Sequence, residues 1–377
     1  MPSLNILPIV RKEFRQIRRD KRVLGVLLFI PALMLVMFGY ALNFDVKHTR
    51  LAVYDQDRSR TSREFIEEFF HSELFDLTQY IDHPAQGTQL LDREEARVVL
   101  VIPSDFSKKI SSGSEAEIQV LIDGANSNAA SIVLGYVNMI VQQYSFKVIL
   151  RSLVRTGGRE ISLPIDYRPR VWYNPELKSA KFLVPGLIAF ILMITAVIST
   201  SLAISREREL GTMEQLLVSP IKPIELILGK TIPYTLISLI ATTGILVLGY
   251  LLFGVTIKGS IFLLFLVTLI FLIGSLGLGL LISTIAETQE LAFMIATILT
   301  MLPTFILSGF VFPIRNMPVI IQAITYIIPA RYFLVSLRSI VIKGVGITAF
   351  WDEFLMLILF ALIMLIISTV RMKKLLQ

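Results

Sequence analysis

The chain has 377 residues, of which 54% are hydrophobic and only 17% are charged. A soluble domain has roughly 45–50% apolar and about 25% charged residues, so this composition excludes an ordinary soluble enzyme and a disordered chain. There is no cysteine, and the three histidines have no metal-ligand spacing. We therefore expect no disulfide, no cysteine catalysis and no metal site.

The net charge of +7 is unevenly distributed along the chain. Residues 43–181 contain 17 Lys and Arg against 19 Asp and Glu. The excess of positive charge therefore lies in the rest of the chain, beside its apolar segments. That distribution is typical of a membrane protein, and we expect membrane lipid as a partner and no nucleic acid.

Residues 1–22 predict an amphipathic helix on the cytoplasmic membrane surface. Its apolar positions recur at helical spacing: Ile6, Val10, Phe14 and Ile17. The opposite face carries four arginines: Arg11, Arg15, Arg18 and Arg22. Such a helix lies in the headgroup plane with its basic face toward anionic lipid. A merely solvated basic tail is the alternative interpretation.

About 20 apolar residues are needed to cross a bilayer as a helix. Uncharged runs of about that length predict six transmembrane helices, at residues 23–42, 182–204, 231–257, 259–286, 291–314 and 354–370. Basic residues flank the first and the last run. Both termini are therefore expected in the cytoplasm, with the chain crossing the membrane several times.

Two apolar segments need separate interpretations. No small-residue cleavage site follows the run 23–42, so an uncleaved anchor is favoured over a signal peptide. The run 316–330 is short and is cut by Pro318 and Pro329. A run of that kind favours a re-entrant segment, which we place on the outer side at residues 315–345.

Residues 43–181 are long enough to form a domain, and the orientation above places it outside the cytoplasm. Three short apolar runs look like strands: Leu51–Tyr54, Val98–Ile102 and Ile118–Ile122. Helical patterns lie between them, and a long helix is expected from about Ser127 to Arg155. The fold class is therefore an α-helical integral membrane protein of six transmembrane helices, with an α/β extracytoplasmic domain between helices 1 and 2.

One motif mimics a nucleotide site without meeting its requirements. Gly229, Lys230 and Thr231 look like the end of a phosphate-binding loop, but Ile224 stands where that motif requires glycine. No strand precedes the motif either. We therefore expect a non-catalytic chain that binds no cofactor of its own and does not hydrolyse ATP.

The loop 205–223, which joins the second and third predicted spans, contains a short amphipathic segment. Leu210, Met213 and Leu217 share one face of it, and Pro220 ends it. Pro223 suits the first position of the next helix. One possibility is that the loop is a plain connector, although a connector needs only a few polar residues. The second possibility is that this loop transmits force between a soluble partner and the bilayer.

The stretch Ser205–Lys230 contains the run ERELGTMEQLLVSPIKPIELILGK. This run resembles the signature loop of ABC-2-type transporter permeases, in particular the drug- and antibiotic-export branch with a large extracytoplasmic domain. Residues 1–22 are similar to the connecting helix of that family. The Leu307–Pro313 break and the Ile328–Tyr332 run resemble its outer re-entrant region.

The resemblance implies that residues 182–377 form the ABC-2-type transmembrane core of a permease. Its loop would dock on a separate ATP-binding subunit, which binds ATP and Mg²⁺. The implied ATPase-coupling residues are Glu207, Gly211, Thr212, Met213, Glu214, Gln215, Leu216, Leu217, Pro220 and Pro223. The further implied partners are a second permease subunit, identical or paralogous, and a periplasmic adaptor protein. The expected function is efflux of a hydrophobic or amphipathic drug, antibiotic or lipid-like compound.

Hydroxyl side chains on two predicted spans suggest a weakly polar substrate path. Four of them share one helical face of span five: Thr297, Thr300, Thr304 and Ser308. Span two offers Thr195 and Ser199. Helix packing, with hydroxyls bonded to backbone, is the alternative. Charges are nearly absent from the spans, which argues against a secondary transporter; a receptor-like signalling protein using the same loop is the other alternative function.

Overall fold

The computed structural model of the protein describes residues 6–41, 48–72, 74–155, 172–174, 178–211 and 222–375. The chain divides into two compact units. One comprises residues 1–43 and 170–377, and the other comprises residues 44–169. The predicted domain limits at 22, 42 and 181 stay predictions.

The first unit begins with helices α1 (Ile6–Arg19) and α2 (Lys21–Ala41). In α1 the buried residues are Ile9, Glu13 and Ile17, whereas Phe14 is exposed. The stripe Ile9, Glu13 and Ile17 is buried because α1 packs against other helices. The predicted placement of α1 on the membrane surface stays a prediction.

The second unit alternates strands and helices. Its elements are β1 (Thr49–Asp55), α3 (Arg60–His71), β2 (Phe75–Tyr80), α4 (Pro84–Asp92), β3 (Val98–Ile102), α5 (Phe106–Ser112), β4 (Gln119–Ile122) and α6 (Ser127–Arg155). The strand order is β2-β1-β3-β4. β1 is parallel to β2 and to β3, while β4 is antiparallel to β3. The three predicted strands are present; β2 was missed because Phe75 is its one buried residue and it carries no apolar pattern.

The sheet is covered on both faces, as expected for parallel strands. Leu51 and Val53 of β1 pack in one apolar cluster with Phe65 of α3 and Ile140 of α6. Ala52, the residue between them, points to the opposite face of the sheet. There it belongs to a second apolar cluster, on the side that α4 covers. The alternation along β1 therefore places its side chains in two separate cores.

The first unit continues with α7 (Ser179–Glu209), α8 (Pro223–Phe253), α9 (Ile261–Ile285), α10 (Gln289–Leu307), α11 (Val319–Thr325), α12 (Pro329–Arg338) and α13 (Trp351–Leu375). Within the described ranges, five of the helices are long and apolar enough to cross a membrane, namely α7, α8, α9, α10 and α13. Helix α2 contributes a shorter apolar stretch, Leu27–Ala41. The count of six spans stays a prediction.

Helix α7 lies at the centre of this unit. Of the 18 residues in the most apolar stretch of α7, 78% are buried. The corresponding stretches of α10 and α13 are only 22% and 17% buried. The outer helices therefore present apolar side chains on their outer surfaces, as they do when the solvent is hydrocarbon. Helix α9 approaches α7 closely at Gly279, where a Cβ atom would lie 2.5 Å from the carbonyl oxygen of Val197.

The fifth predicted span, 291–314, is interrupted in the structure. Helix α10 ends at Leu307, and Gly309 follows with a φ of +81°. The guanidinium of Arg338 donates hydrogen bonds to the carbonyl oxygens of Gly309 at 3.1 Å and Phe310 at 3.4 Å. An arginine therefore stabilises the break, because it binds carbonyl oxygens that lie just beyond the end of the helix. The helical segments Val319–Thr325 and Pro329–Lys343 then meet at an 83° bend.

Candidate functional site

The segment predicted to couple the permease to a partner begins where α7 ends. Gly211 has a φ of +68°. Its backbone N–H donates to the carbonyl oxygen of Arg208 at 3.1 Å. Glycine adopts this left-handed conformation without a Cβ penalty, which makes it the usual residue just after a helix. The chain therefore leaves α7 at a defined point.

The same segment ends at the start of α8. Pro223 is the first residue of that helix, and the backbone N–H of Lys222 donates to Oε2 of Glu225 at 3.0 Å. A proline at the first position and an acid that satisfies the preceding N–H are standard helix-start chemistry. The coupling residues between these points lie outside the described residues: Thr212, Met213, Glu214, Gln215, Leu216, Leu217 and Pro220.

Four charged side chains from three helices meet beside the two ends of this segment. We call them the loop-end cluster: Lys12 and Glu13 of α1, Glu207 of α7 and Lys230 of α8. The Lys230 Nζ lies 2.9 Å from Glu13 Oε1 and 2.8 Å from Glu207 Oε2. The Lys12 Nζ lies 3.2 Å from Glu13 Oε1 and also contacts Glu207 Oε1. Each carboxylate therefore contacts two ammonium groups, and the formal charges of the cluster cancel.

Three members of the loop-end cluster are almost completely buried. The side chain of Lys230 is 1% exposed, that of Glu13 is 2% exposed and that of Glu207 is 6% exposed. Burying an ion costs several kcal/mol, and only well-placed partners offset that cost. Removal of any one partner would leave an uncompensated charge. The cluster therefore holds α1, α7 and α8 in one relative arrangement.

Lys12 lies at the edge of the cluster, about half exposed. Burial by itself lowers the pKa of its ammonium group. The attraction of Glu207 and Glu13, reinforced by hydrogen bonds to both, outweighs that effect, and the pKa is raised above its ordinary value. Lys12 is therefore positively charged throughout the physiological pH range.

The last turn of α7 has further contacts on two sides. Toward α1, the Arg206 Nη1 lies 2.7 Å from Asp20 Oδ2. Toward the α9–α10 turn, Arg208 Nη1 donates to the carbonyl oxygen of Ala286 at 2.9 Å. The backbone N–H of Gln289 donates to Glu209 Oε1 at 2.6 Å. These contacts therefore connect the end of α7 to α1 and to this turn.

Helices α1 and α8 touch directly next to the cluster. A Cβ atom built on Gly229 would lie 2.5 Å from Ile9 Cγ2, so a glycine is required for this approach. Sequence reasoning missed the cluster members Lys12, Glu13 and Lys230. Two signals were available in the sequence. Glu13 is an acid four residues from both Ile9 and Ile17, so it shares their helical face in an otherwise basic helix. Lys230 is a charged residue directly before a long apolar run.

The six predicted path hydroxyls have different environments. Thr195 and Thr300 donate to carbonyl oxygens one turn earlier in their own helices, at 2.7 Å and 2.6 Å. Ser308 likewise donates to the carbonyl oxygen of Thr304, and both residues are fully buried. Two hydroxyls have no hydrogen-bond partner in the described part of the chain, although their oxygens are buried: those of Ser199 and Thr297. The assignment of these six residues to a substrate path stays a prediction. Ser199 and Thr297 are its strongest candidates, because their hydroxyls are not already paired with the backbone.

Comparison with known proteins decides the family. Residues 21–370 match the family described as ABC-2 family transporter protein. This chain belongs to that family. It is 32% identical over 345 residues, 92% of either chain, to the "Probable multidrug ABC transporter permease YbhR" of Escherichia coli. It is 36% identical over 334 residues, 88% of this chain and 87% of the relative, to the "Probable multidrug ABC transporter permease YbhS" of the same organism.

A third relative is similar over nearly the full length. The "Inner membrane transport permease YhhJ" of Escherichia coli is 29% identical over 378 residues, which is 98% of this chain and 97% of the relative. The predicted family membership is therefore confirmed. The chain is a membrane-embedded permease with several apolar helices. Permease subunits of this kind are not catalytic themselves and work with an ATP-binding subunit.

Proposed function

We propose that this chain couples ATP hydrolysis by a separate ATP-binding subunit to the efflux of a hydrophobic or amphipathic compound. ATP and Mg²⁺ are bound by that subunit and not by this chain. The observation that carries the proposal is the loop-end cluster, because it connects the two helices that flank the segment 211–222, α7 at Glu207 and α8 at Lys230, to the same helix, α1. The names of the two "multidrug" relatives favour a drug or antibiotic as cargo over a lipid-like compound.

The mechanism follows from the rigidity of the cluster. Closure of the ATP-binding subunits on ATP displaces the predicted coupling residues from Gly211 to Leu217. Because separating Lys230 from Glu13 and Glu207 would strand buried charges, the three helices move together instead of sliding past one another. The displacement therefore reaches the transmembrane helices as a movement of whole helices, which switches access to the cargo path.

The assembly is proposed to contain two permease subunits, identical or paralogous. Each crosses the inner membrane six times with both termini in the cytoplasm. The α/β unit, residues 44–169, then lies on the periplasmic side, where an adaptor protein meets it. This arrangement places the loop 205–223 in the cytoplasm beside the ATP-binding subunit.

The proposal is tested with single cysteines, because the chain has none of its own. Leu210→Cys, at an exposed position next to the loop, should react with a membrane-impermeant maleimide in inside-out vesicles and not in spheroplasts. Ser114→Cys, at an exposed position of the α/β unit, is the matched control and should show the reverse pattern. Labelling of Leu210→Cys in spheroplasts would disprove the proposed sidedness.

The coupling itself is tested in proteoliposomes that contain the permease co-purified with its ATP-binding subunit. A panel of amphipathic compounds should stimulate ATP hydrolysis, and Leu217→Asp should abolish that stimulation while the chain stays membrane-inserted. An acid on the predicted apolar face of the loop would have to be desolvated on docking, which is costly. Undiminished stimulation in Leu217→Asp, or a permease that co-purifies with no ATP-binding subunit, would refute the proposal.

The unpaired hydroxyls provide a prediction about the cargo path. Thr297→Val and Ser199→Ala should each raise the concentration of cargo needed for half-maximal ATPase stimulation by about 2- to 10-fold, the value of one hydrogen bond. Thr300→Val is the control and should leave that concentration unchanged, since the hydroxyl of Thr300 is already bonded within its helix. Equal effects of the three substitutions would mean that these hydroxyls serve packing only.

A further inference from the structure

The groove between α1 and the last turns of α7 has a basic part and an apolar part. The basic part is an open depression of about 920 Å³. Five cations line it, with one acid: Lys12, Arg15, Arg19, Lys21, Arg206 and Asp20. Arg15 and Arg19 are one helical turn apart on α1, so their guanidinium groups face the same space. Such a depression attracts an anionic group.

The apolar part is a smaller cavity of about 170 Å³. Its apolar lining comes from Ile17 of α1 and from Ile198, Leu202 and Ala203 of α7. Ser199 also lines it, and the Ser199 hydroxyl is buried and has no hydrogen-bond partner among the described residues. A dry cavity of about 150 Å³ holds a benzene-sized molecule, so this one has room for several methylene groups.

The two parts are continuous. Gln16, Asp20 and Arg206 line both of them. The Asp20–Arg206 ion pair, with its 2.7 Å separation, therefore lies where the basic depression passes into the apolar cavity. A molecule that fills both must carry a negative charge at one end and hydrocarbon at the other.

We propose that this groove is a binding site for one anionic phospholipid. The phosphate lies in the basic depression near Arg15 and Arg19, and part of one acyl chain enters the cavity beside Ala203. Arg206 binds the phosphate in addition to Asp20. Basic pockets between membrane helices are known to bind lipid headgroups in this way.

The exposed surface of α1 supports a lipid over an acidic protein as the occupant. Leu7 is 58% exposed and Phe14 is 36% exposed, so α1 presents apolar side chains outward beside its basic face. A helix of that kind lies at the boundary between headgroups and acyl chains. An acidic protein segment would account for the basic depression but would leave the cavity unfilled.

The site is distinguished from general attraction to a charged bilayer by a matched pair of double variants. Arg15→Gln with Arg19→Gln removes two charges from the depression, whereas Arg11→Gln with Arg18→Gln removes two exposed charges of the same helix that do not line it. The full-length permease is placed in phosphatidylcholine nanodiscs, phosphatidylglycerol is titrated in, and retained lipid is counted by native mass spectrometry. Each cation near a surface strengthens anionic-lipid binding about fivefold.

We expect about 25-fold weaker retention of phosphatidylglycerol in Arg15→Gln/Arg19→Gln, and less than a twofold change in the control pair. Ala203→Phe, which fills the cavity, should also weaken retention at least fivefold, and Ala203→Met is the smaller substitute if the phenylalanine variant does not fold. Ala85→Phe, at an exposed alanine of the α/β unit, should have no effect. Free glycerol phosphate in excess should not displace the lipid, because it cannot use the cavity.

Four outcomes would overturn the proposal. Equal loss of retention in both arginine pairs would mean general charge attraction. Unchanged retention in Ala203→Phe, or displacement by glycerol phosphate, would mean that the groove recognises only a free anion. Loss of the co-purified ATP-binding subunit in Arg15→Gln/Arg19→Gln with lipid retention unchanged would assign the depression to a protein partner.

Discussion

Replacing Lys230 by methionine should destabilise the permease by about 3–5 kcal/mol, the range for breaking a buried ion pair by removing one partner. The two carboxylates that now share its ammonium, those of Glu13 and Glu207, are almost completely buried. Lys12, at the exposed edge of the cluster, is then left to neutralise both. Denaturant-induced unfolding of the detergent-purified chain measures the loss, and cargo-stimulated ATPase activity of the complex should fall with it.

A double variant distinguishes the loss of charge pairing from the loss of packing as the cause of this destabilisation. Lys230→Met combined with Glu13→Gln leaves Lys12 and Glu207, a balanced pair already in contact. This double variant should recover most of the stability lost in Lys230→Met, because no buried charge remains without a partner. If the double variant is no more stable than the single one, the cluster is not held together by charge and the coupling role proposed for it is wrong.

Gly279→Ala should cost about 3 kcal/mol, at the upper end of the usual range for overpacking. The added Cβ would lie 2.0 Å from Thr200 Oγ1 and 2.5 Å from the carbonyl oxygen of Val197. The hydroxyl can rotate away but the backbone carbonyl cannot, so α7 and α9 must separate. Because α7 is the central helix of this unit, the separation should lower both thermal stability and transport.

Gly244→Ala is the matched control for this helix contact. Gly244 lies in α8 with nothing within 4 Å of the position its Cβ would take, so alanine there should be neutral or stabilising by about 1 kcal/mol through helix propensity. Thr200→Ala should only partly rescue Gly279→Ala, because the Val197 carbonyl stays in place. Similar stabilities of Gly279→Ala and Gly244→Ala would show that the close approach of α7 and α9 does not constrain the structure.

Much of the local structure could be predicted from the sequence. The long helix of the α/β unit was expected from about Ser127 to Arg155, and α6 has those bounds. Strand β3 likewise has its predicted bounds, Val98–Ile102. The start of α8 at Pro223 was also predicted. These features depend on neighbouring residues: apolar periodicity, an uninterrupted run, and a proline placed where a helix begins.

Features that depend on contacts between distant residues could not be predicted from the sequence. Strand β2 is held by pairing with β1 and has little apolar pattern of its own. The carbonyl oxygen of Gly309, just beyond the end of α10, is bound by Arg338, which lies 29 residues further along the chain. The members of the loop-end cluster were individually visible as a lysine or an acid, but their meeting depends on how three helices pack.

The sequence by itself determined the membrane class, the apolar helices, the strands with strong apolar patterns and the family, because each depends on runs of neighbouring residues. Only the tertiary structure decided that Glu13, Glu207 and Lys230 form one buried cluster and that a basic depression continues into an apolar cavity. Contacts between residues about 200 positions apart, such as the one between Glu13 and Lys230, carry no signal in local periodicity. They arise when the helices pack, because a buried charge is stable only where packing brings it a partner.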